Sequence, residues 1–155
     1  MKQEEVEIIP FDSSLSPYFY DLNVAWLKKY FYVEPYDEKV LSDPQSFIID
    51  KGGFVFFAKL KDEIVGVVSL INQDRFFELS KMAVVPKHHG KKIGQKLVEF
   101  AIEFALESGW NNLILYSNRK LVPAITLYKK LGFKEVALEK DVNYERADIK
   151  MEIVF

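Results

Sequence analysis

Apolar and polar positions along this chain change period several times, and each change marks an element. Residues 6–11 read as a short first strand. A serine at 14 or 16 followed by Pro17 is a helix-start signal, and Phe19, Leu22, Trp26 and Tyr30 then recur at the spacing of one helix face. Residues 32–46 read as irregular or briefly helical, with Pro35 and Pro44 as breaks. Two β-rich runs, 54–60 and 64–71, are joined by Lys61-Asp62-Glu63 in the manner of a hairpin, and 76–85 is a third run. Ile93, Leu97, Phe100, Ala101, Phe104 and Ala105 mark the apolar face of a helix that Gly109 stops. Residues 113–116 form a strand, 122–131 a helix stopped by Gly132, and 133–138 and 148–155 closing strands. In the last, Ile149, Met151, Ile153 and Phe155 share a face. The order β-α-(α)-β-β-β-α-β-α-β-β predicts an α+β fold with a mixed sheet: antiparallel hairpins first, then two β-α crossovers. No repeat, low-complexity tract or linker interrupts it, so 1–155 reads as a single domain.

Composition narrows the chemistry. Hydrophobic residues make up 49% of the chain and aromatics 15%, enough for a substantial core. A net charge of −2 argues against general affinity for nucleic acid or membranes. The absence of cysteine excludes a disulfide, a thiol nucleophile and a zinc–thiolate site. The opening Met1-Lys2-Gln3-Glu4-Glu5 lacks the apolar core of a signal peptide, and no stretch approaches the ~20 apolar residues of a membrane span. The expectation is a cytoplasmic protein.

Against this slightly acidic background one basic turn stands out: Val85-Pro86-Lys87-His88-His89-Gly90-Lys91-Lys92-Ile93-Gly94, opening the helix that continues Gln95-Lys96-Leu97-Val98. A helix start carries unpaired N–H groups and about half a positive charge, and so attracts anions. The spacing is that of neither a P-loop nor a dinucleotide fingerprint. On its residues alone, the turn reads equally well as a solvated cap. His88 and His89 are adjacent, which in extended backbone sends them to opposite sides, so no metal site is expected. Tyr128, with Leu121 and Ala124 near its face, reads either as packing or as a proton donor aimed into a cleft. Glu78 shares a face with Ser80 and Met82 under strict alternation, and reads either as solvent-facing or as functional.

Leu127-Tyr128-Lys129-Lys130-Leu131-Gly132-Phe133 spells L-Y-x-x-x-G-F, and about thirty residues earlier the strand through Met82-Ala83-Val84-Val85 runs into the basic turn. These elements in this order resemble the GNAT superfamily of N-acetyltransferases, whose turn signature is R/Q-x-x-G-x-G/A. The resemblance covers essentially the whole chain. His89 occupies the usual Arg/Gln position, Lys92 the middle glycine, and Leu121 a frequent asparagine, for which Asn118 stands in; Gly94 is retained.

The resemblance implies a central, mostly antiparallel sheet of about seven strands flanked by helices, acetyl-CoA as cosubstrate and no metal. It implies direct transfer in a ternary complex to an amine, on a small molecule or a peptide. Met82, Ala83 and Val84 would run beside the pantetheine arm. His89, Gly90, Lys91, Lys92, Ile93, Gly94 and Gln95 would hold the diphosphate, with Asn118 and Tyr128 completing the donor site. Glu78 is the candidate base and Tyr128 the candidate acid at the leaving thiolate. The acceptor pocket would draw on Tyr30, Tyr32, Glu34, Tyr36, Asn143 and Tyr144, a mixture suited to a cationic amine. A non-catalytic acyl-CoA-binding sensor or scaffold is the alternative. The closing strand leaves open either a homodimer or an internal place in the sheet.

Overall fold

The computed structural model describes residues 5–142 and 144–155, and of His89 only the backbone. Seven strands form one sheet: β1 (Val6–Pro10), β2 (Phe54–Leu60), β3 (Glu63–Asn72), β4 (Phe77–Val84), β5 (Asn112–Ser117), β6 (Lys134–Val136) and β7 (Ile149–Val154). Their order is β1-β2-β3-β4-β5-β7-β6, and every pairing is antiparallel except β4 with β5. This is the mixed, mostly antiparallel sheet expected from the sequence. The closing strand β7 is internal, hydrogen-bonded to β5 on one side and β6 on the other.

Among the described residues, four helices cover the sheet: α1 (Ser16–Tyr30), α2 (Pro35–Ser42), α3 (Ile93–Glu107) and α4 (Val122–Lys130). Leu97, Val98, Ala101 and Ala105 of α3 and Tyr128 of α4 bury against Phe56, Val68, Leu79, Leu115 and Met151. On the opposite face, Phe19 and Leu27 of α1 and Val40 and Leu41 of α2 bury against Phe57, Val67, Ile71 and Ala83. Each sheet face thus has its own core.

Three details depart from the sequence reading. Pro35 opens α2 instead of breaking the segment, because the first helical residue needs no N–H donor. Glu34 precedes it, its backbone N–H donating to Asp37 Oδ2 at 2.9 Å. Downstream, Gln45–Ile49 forms a π-type turn closed by Asp50 N donating to Gln45 O at 2.8 Å. The sixth strand is shorter than expected, since pairing with β7 ends at Val136.

The feature that matters most for function lies in β4. Val67 pairs with Ala83 and Ser69 with Ser80, so Lys81 and Met82 together stand opposite Val68 in a β-bulge. Lys81 takes a left-handed φ of 52° to make it. The bulge overturns the strict alternation assumed for this strand. Glu78 faces the α1–α2 side, while Met82 joins Leu79 on the α3–α4 side. On the other flank, β4 and β5 register at only Glu78↔Ile114 and Leu79↔Leu115, after which the strands diverge.

Gly132, which stops α4, has φ 112°, and a Cβ there would stand 3.1 Å from Ile153 Cδ1. Gly132→Ala should therefore lower stability by about 1–2 kcal/mol, read from urea unfolding. An unchanged midpoint would contradict the strain assigned to this position.

Candidate active site

Where β4 and β5 part, a cavity of about 160 Å³ opens. Glu78 and Met82 border it from β4, Asn118 from the end of β5, Leu121, Ala124 and Tyr128 from α4 and the turn before it, and Asn23, Trp26 and Leu27 from α1. A hydrogen-bond ladder between β4 and β5 would fill this space with backbone. Because the parallel pairing stops after two residue pairs, the two strands separate there and the cavity occupies the gap between them.

Glu78 is buried, with 5% of its surface exposed, which rules out the solvent-facing alternative. Its Oε1 accepts a hydrogen bond from Gln73 Nε2 at 2.9 Å. Burial pushes its carboxyl pKa up, only partly opposed by that bond and by the nearby Lys81 ammonium. A carboxylate whose pKa is raised in this way is, in its ionised form, a stronger proton acceptor than an exposed one, as suits a general base.

Tyr128 is 8% exposed, packs its ring edge-on to Phe133 at 6.0 Å and also borders the cavity. The side chain is thus both a packing residue and part of the cavity border. Desolvation pushes its phenol up to about 12, so it stays protonated across the physiological range.

The basic turn lies past the end of β4, outside the cavity. Pro86–Lys91 forms a 3-10 turn, Lys92 adopts a left-handed φ of 58°, and α3 starts at Ile93. Lys92 thus occupies a conformation that glycine adopts freely and that costs other L-residues ~1–2 kcal/mol. A Cβ on Gly90 would meet no atom within 4 Å, and one on Gly94 only Val84 Cγ2 at 3.8 Å. The space before the helix start is open. Lys87 Nζ pairs with Glu63 Oε1 at 3.0 Å across the turn. Ile93 is buried in the core beside α3, and Ala83 in the opposite core, so only their backbones are available to a ligand. Asn118 is engaged at both ends: its Nδ2 donates to Arg146 O at 2.7 Å, and its Oδ1 accepts from Lys120 N at 2.9 Å.

The structure adds a buried ionic network that the sequence reading missed. Arg146 donates to Asp37 through Nη1 and Nη2, at 2.7 and 2.8 Å, and to Glu34 Oε2 at 3.0 Å. Lys81 Nζ reaches Asp37 Oδ1 at 2.9 Å and hydrogen-bonds the Tyr144 hydroxyl. Both cations also lie over the Tyr144 ring, Lys81 Nζ at 4.1 Å and Arg146 Cζ at 4.3 Å from its centroid. Burial works to raise the Asp37 pKa, but Arg146 and Lys81 together hold it below the ordinary carboxylate value. Burial lowers the Lys81 pKa, against the pull of Asp37.

This network revises the expected acceptor wall. Of the residues proposed for it, Tyr144 borders the cavity, whereas Tyr36 packs edge-on behind Tyr144 and Glu34 is committed to Arg146 and to the backbone N–H of Glu145. Tyr32 hydrogen-bonds Glu145, Tyr30 packs on Trp26, and Asn143 lies outside the described residues. Among the described residues, no three potential metal ligands come together.

Comparison with known proteins points in one direction. The family model described as acetyltransferase (GNAT) family matches residues 16–133. An uncharacterized N-acetyltransferase of Bacillus subtilis (strain 168), YvbK, is 30% identical over 112 residues, covering 70% of this chain and 72% of that protein. The first curated relatives matched are longer proteins, of which the chain spans 37–52%. A GNAT-family acetyltransferase structure from Staphylococcus aureus Mu50 superposes with a TM-score of 0.84 at 20% identity, covering 97% of this chain and 99% of that one. A Bacillus subtilis acetyltransferase solved in complex with CoA superposes at 0.73 with 21% identity, covering 97% and 99%.

The buried network carries a stability prediction. Asp37→Asn leaves the buried Lys81 and the half-buried Arg146 undercompensated and should destabilise the protein by ~3–5 kcal/mol. Because the folded Asp37 pKa lies below its unfolded value of about 3.9, its contribution is present above that value and is lost as pH falls through the lower, folded one. Acid unfolding of the wild type should therefore be steeper than that of Asp37→Asn; identical acid profiles would contradict it.

Proposed function

The chain belongs to the acetyltransferase (GNAT) family, and on that premise we propose that it moves an acetyl group from acetyl-CoA to an amine by direct transfer in a ternary complex. The observation that carries this reading is the meeting of Glu78, Met82 and Tyr128 around one cavity at the β4–β5 split. Glu78 and the strand edge at Met82 come from β4 and Tyr128 from α4, so two elements bring the three groups to one cavity.

The chain's features fit the donor. The edge of β4 at Met82 and Ala83, beyond its last pair with β5, offers backbone to an extended pantetheine, as an added strand would use it. The open space at Gly90, before α3, and at Gly94, in its first turn, gives a diphosphate access to the N–H groups of the helix start. The exposed Lys91 and Lys92 place positive charge beside it. Acetyl-CoA, when bound, supplies the thioester carbonyl that the amine attacks.

Three tasks then fall to the protein. An alkylammonium has a pKa near 10.4 and no lone pair, so it must lose a proton first. Glu78, desolvated and bordering the cavity, accepts that proton directly or through water. The bulge takes Lys81 and Met82 out of the regular ladder with β3, and a backbone N–H of the Met82–Val84 stretch stabilises charge developing on the carbonyl oxygen. Tyr128 faces the departing sulfur. Magnitudes limit its role: a phenol near 12 is a weaker acid than a thiol near 8.5. Tyr128 therefore acts mainly by donating a hydrogen bond to the thiolate, not by delivering its proton outright.

Thiol release from acetyl-CoA with a panel of primary amines tests the reading, and CoA binding without release from any amine would replace it with that of a non-catalytic binding module. Glu78→Gln should lower kcat/KM by ~10²–10⁴ at neutral pH, with the deficit shrinking at high pH as free amine becomes available. A wild-type rate at neutral pH would remove Glu78 from the base role. Tyr128→Phe should lower kcat by ~10–100-fold, the worth of one hydrogen bond to a charged atom. An unchanged kcat would leave Tyr128 as packing alone.

A further inference from the structure

A second cavity, of about 200 Å³, lies on the far side of Glu78 from the donor end of the site. The two cavities share Glu78, Tyr116, Tyr144 and Ala147, so these residues are the wall between them. Tyr144 is the part of that wall most firmly held. Its hydroxyl is bonded by Lys81, its ring lies against Lys81 and Arg146, and Tyr36 packs edge-on at 5.5 Å. It is 8% exposed. The network that anchors it reaches into α2, β4 and the segment before β7, so the ring cannot swing aside without giving up its hydrogen bond with Lys81 and its contacts with both cations.

The charged walls differ across this partition. Among the described residues, the first cavity is bordered by Lys81 and Arg146 besides Glu78, and both cations are matched by Asp37 and Glu34 behind them. The second is bordered by Glu78, Glu139 and Asp141, with Glu139 paired to Lys150 at 3.0 Å. An amine poised at Glu78 with its tail directed away from the donor would run into the Tyr144 ring, with open space behind it.

We propose that Tyr144 is the specificity-determining residue of the acceptor site, its ring setting the longest amine that the site admits by closing the first cavity off from the second. This rests on the acyl-transfer reading above. The site therefore favours short or compact primary amines, and removing the ring joins the cavities into one longer channel. The anchoring residues Lys81 and Arg146 act through Tyr144, as its supports.

The test measures kcat/KM by thiol release from acetyl-CoA with unbranched primary amines from propylamine to decylamine. In the wild type, kcat/KM should drop sharply beyond a limiting chain length. In Tyr144→Ala that limit should move to longer chains, raising the ratio of long-chain to short-chain kcat/KM about tenfold or more, with the KM for acetyl-CoA unchanged. Tyr144→Phe keeps the ring and should keep the wild-type ratio, whatever its absolute rate. If Tyr144→Ala does not fold, Tyr144→Leu takes its place with the same expected direction. A wild-type profile that rises smoothly with chain length would overturn the proposal. So would a Tyr144→Ala ratio equal to the wild type's, or a Tyr144→Phe shift as large as that of Tyr144→Ala. A wild type that releases thiol with no amine at all would instead overturn the transfer reading on which the proposal stands.

Discussion

Everything functional in this molecule depends on a parallel strand pair that stops pairing. β4 and β5 are joined at two positions and then diverge, and a bulge on the other flank of β4 turns Lys81 and Met82 out of the ladder with β3. A sheet interior normally satisfies every backbone donor and acceptor from its neighbours. Here the ladder between the two central strands ends after two residue pairs, and a cavity lies where they part. Lys81 and Lys92, both left-handed, bracket the segment between the bulge and the helix start. Strained backbone at both ends of a site is a recognised mark of function, and stability elsewhere must offset it.

The buried ions contribute to that offset in a particular way. Isolated buried ion pairs add little net stability, because desolvation cancels most of the attraction. Their value here is geometric. Asp37 binds Lys81 on the bulge and Arg146 before β7, so one carboxylate ties three elements distant in sequence to each other. Glu34 adds the backbone of Glu145 to the same knot. Loss of any one member leaves a buried charge exposed to its neighbours, which makes the wall of the cavity rigid and the strand bulge hard to relax.

Much of this was legible in the residues. Period-two and helical spacing mark the strands and the helices α1, α3 and α4 but leave α2 undefined, and the tail around Tyr128 and Gly132 identifies the α4 unit. Glu78 drew notice because a carboxylate in an apolar strand needs a reason. Other features had no local signal. The bulge sits at a lysine, not at a glycine or asparagine that would announce a left-handed residue, so alternation placed Met82 on the wrong face. Pro35 looked like a break because its role as a first helical residue depends on where the helix begins. Asp37 and Arg146 are 109 positions apart, and nothing in spacing or composition pairs them. Contacts of that kind come from topology, after the sheet order is known.

The central claim is that the divergence of β4 from β5 and the open start of α3 together hold one ligand, acetyl-CoA. The most direct measurement is a titration of ¹⁵N-labelled protein with acetyl-CoA followed by amide chemical shifts. The account predicts the largest changes at the backbone amides of Met82, Ala83 and Val84 and of Gly90 to Gly94, moving together along one binding curve. Saturable binding with its largest changes elsewhere, and these amides unmoved, would contradict it.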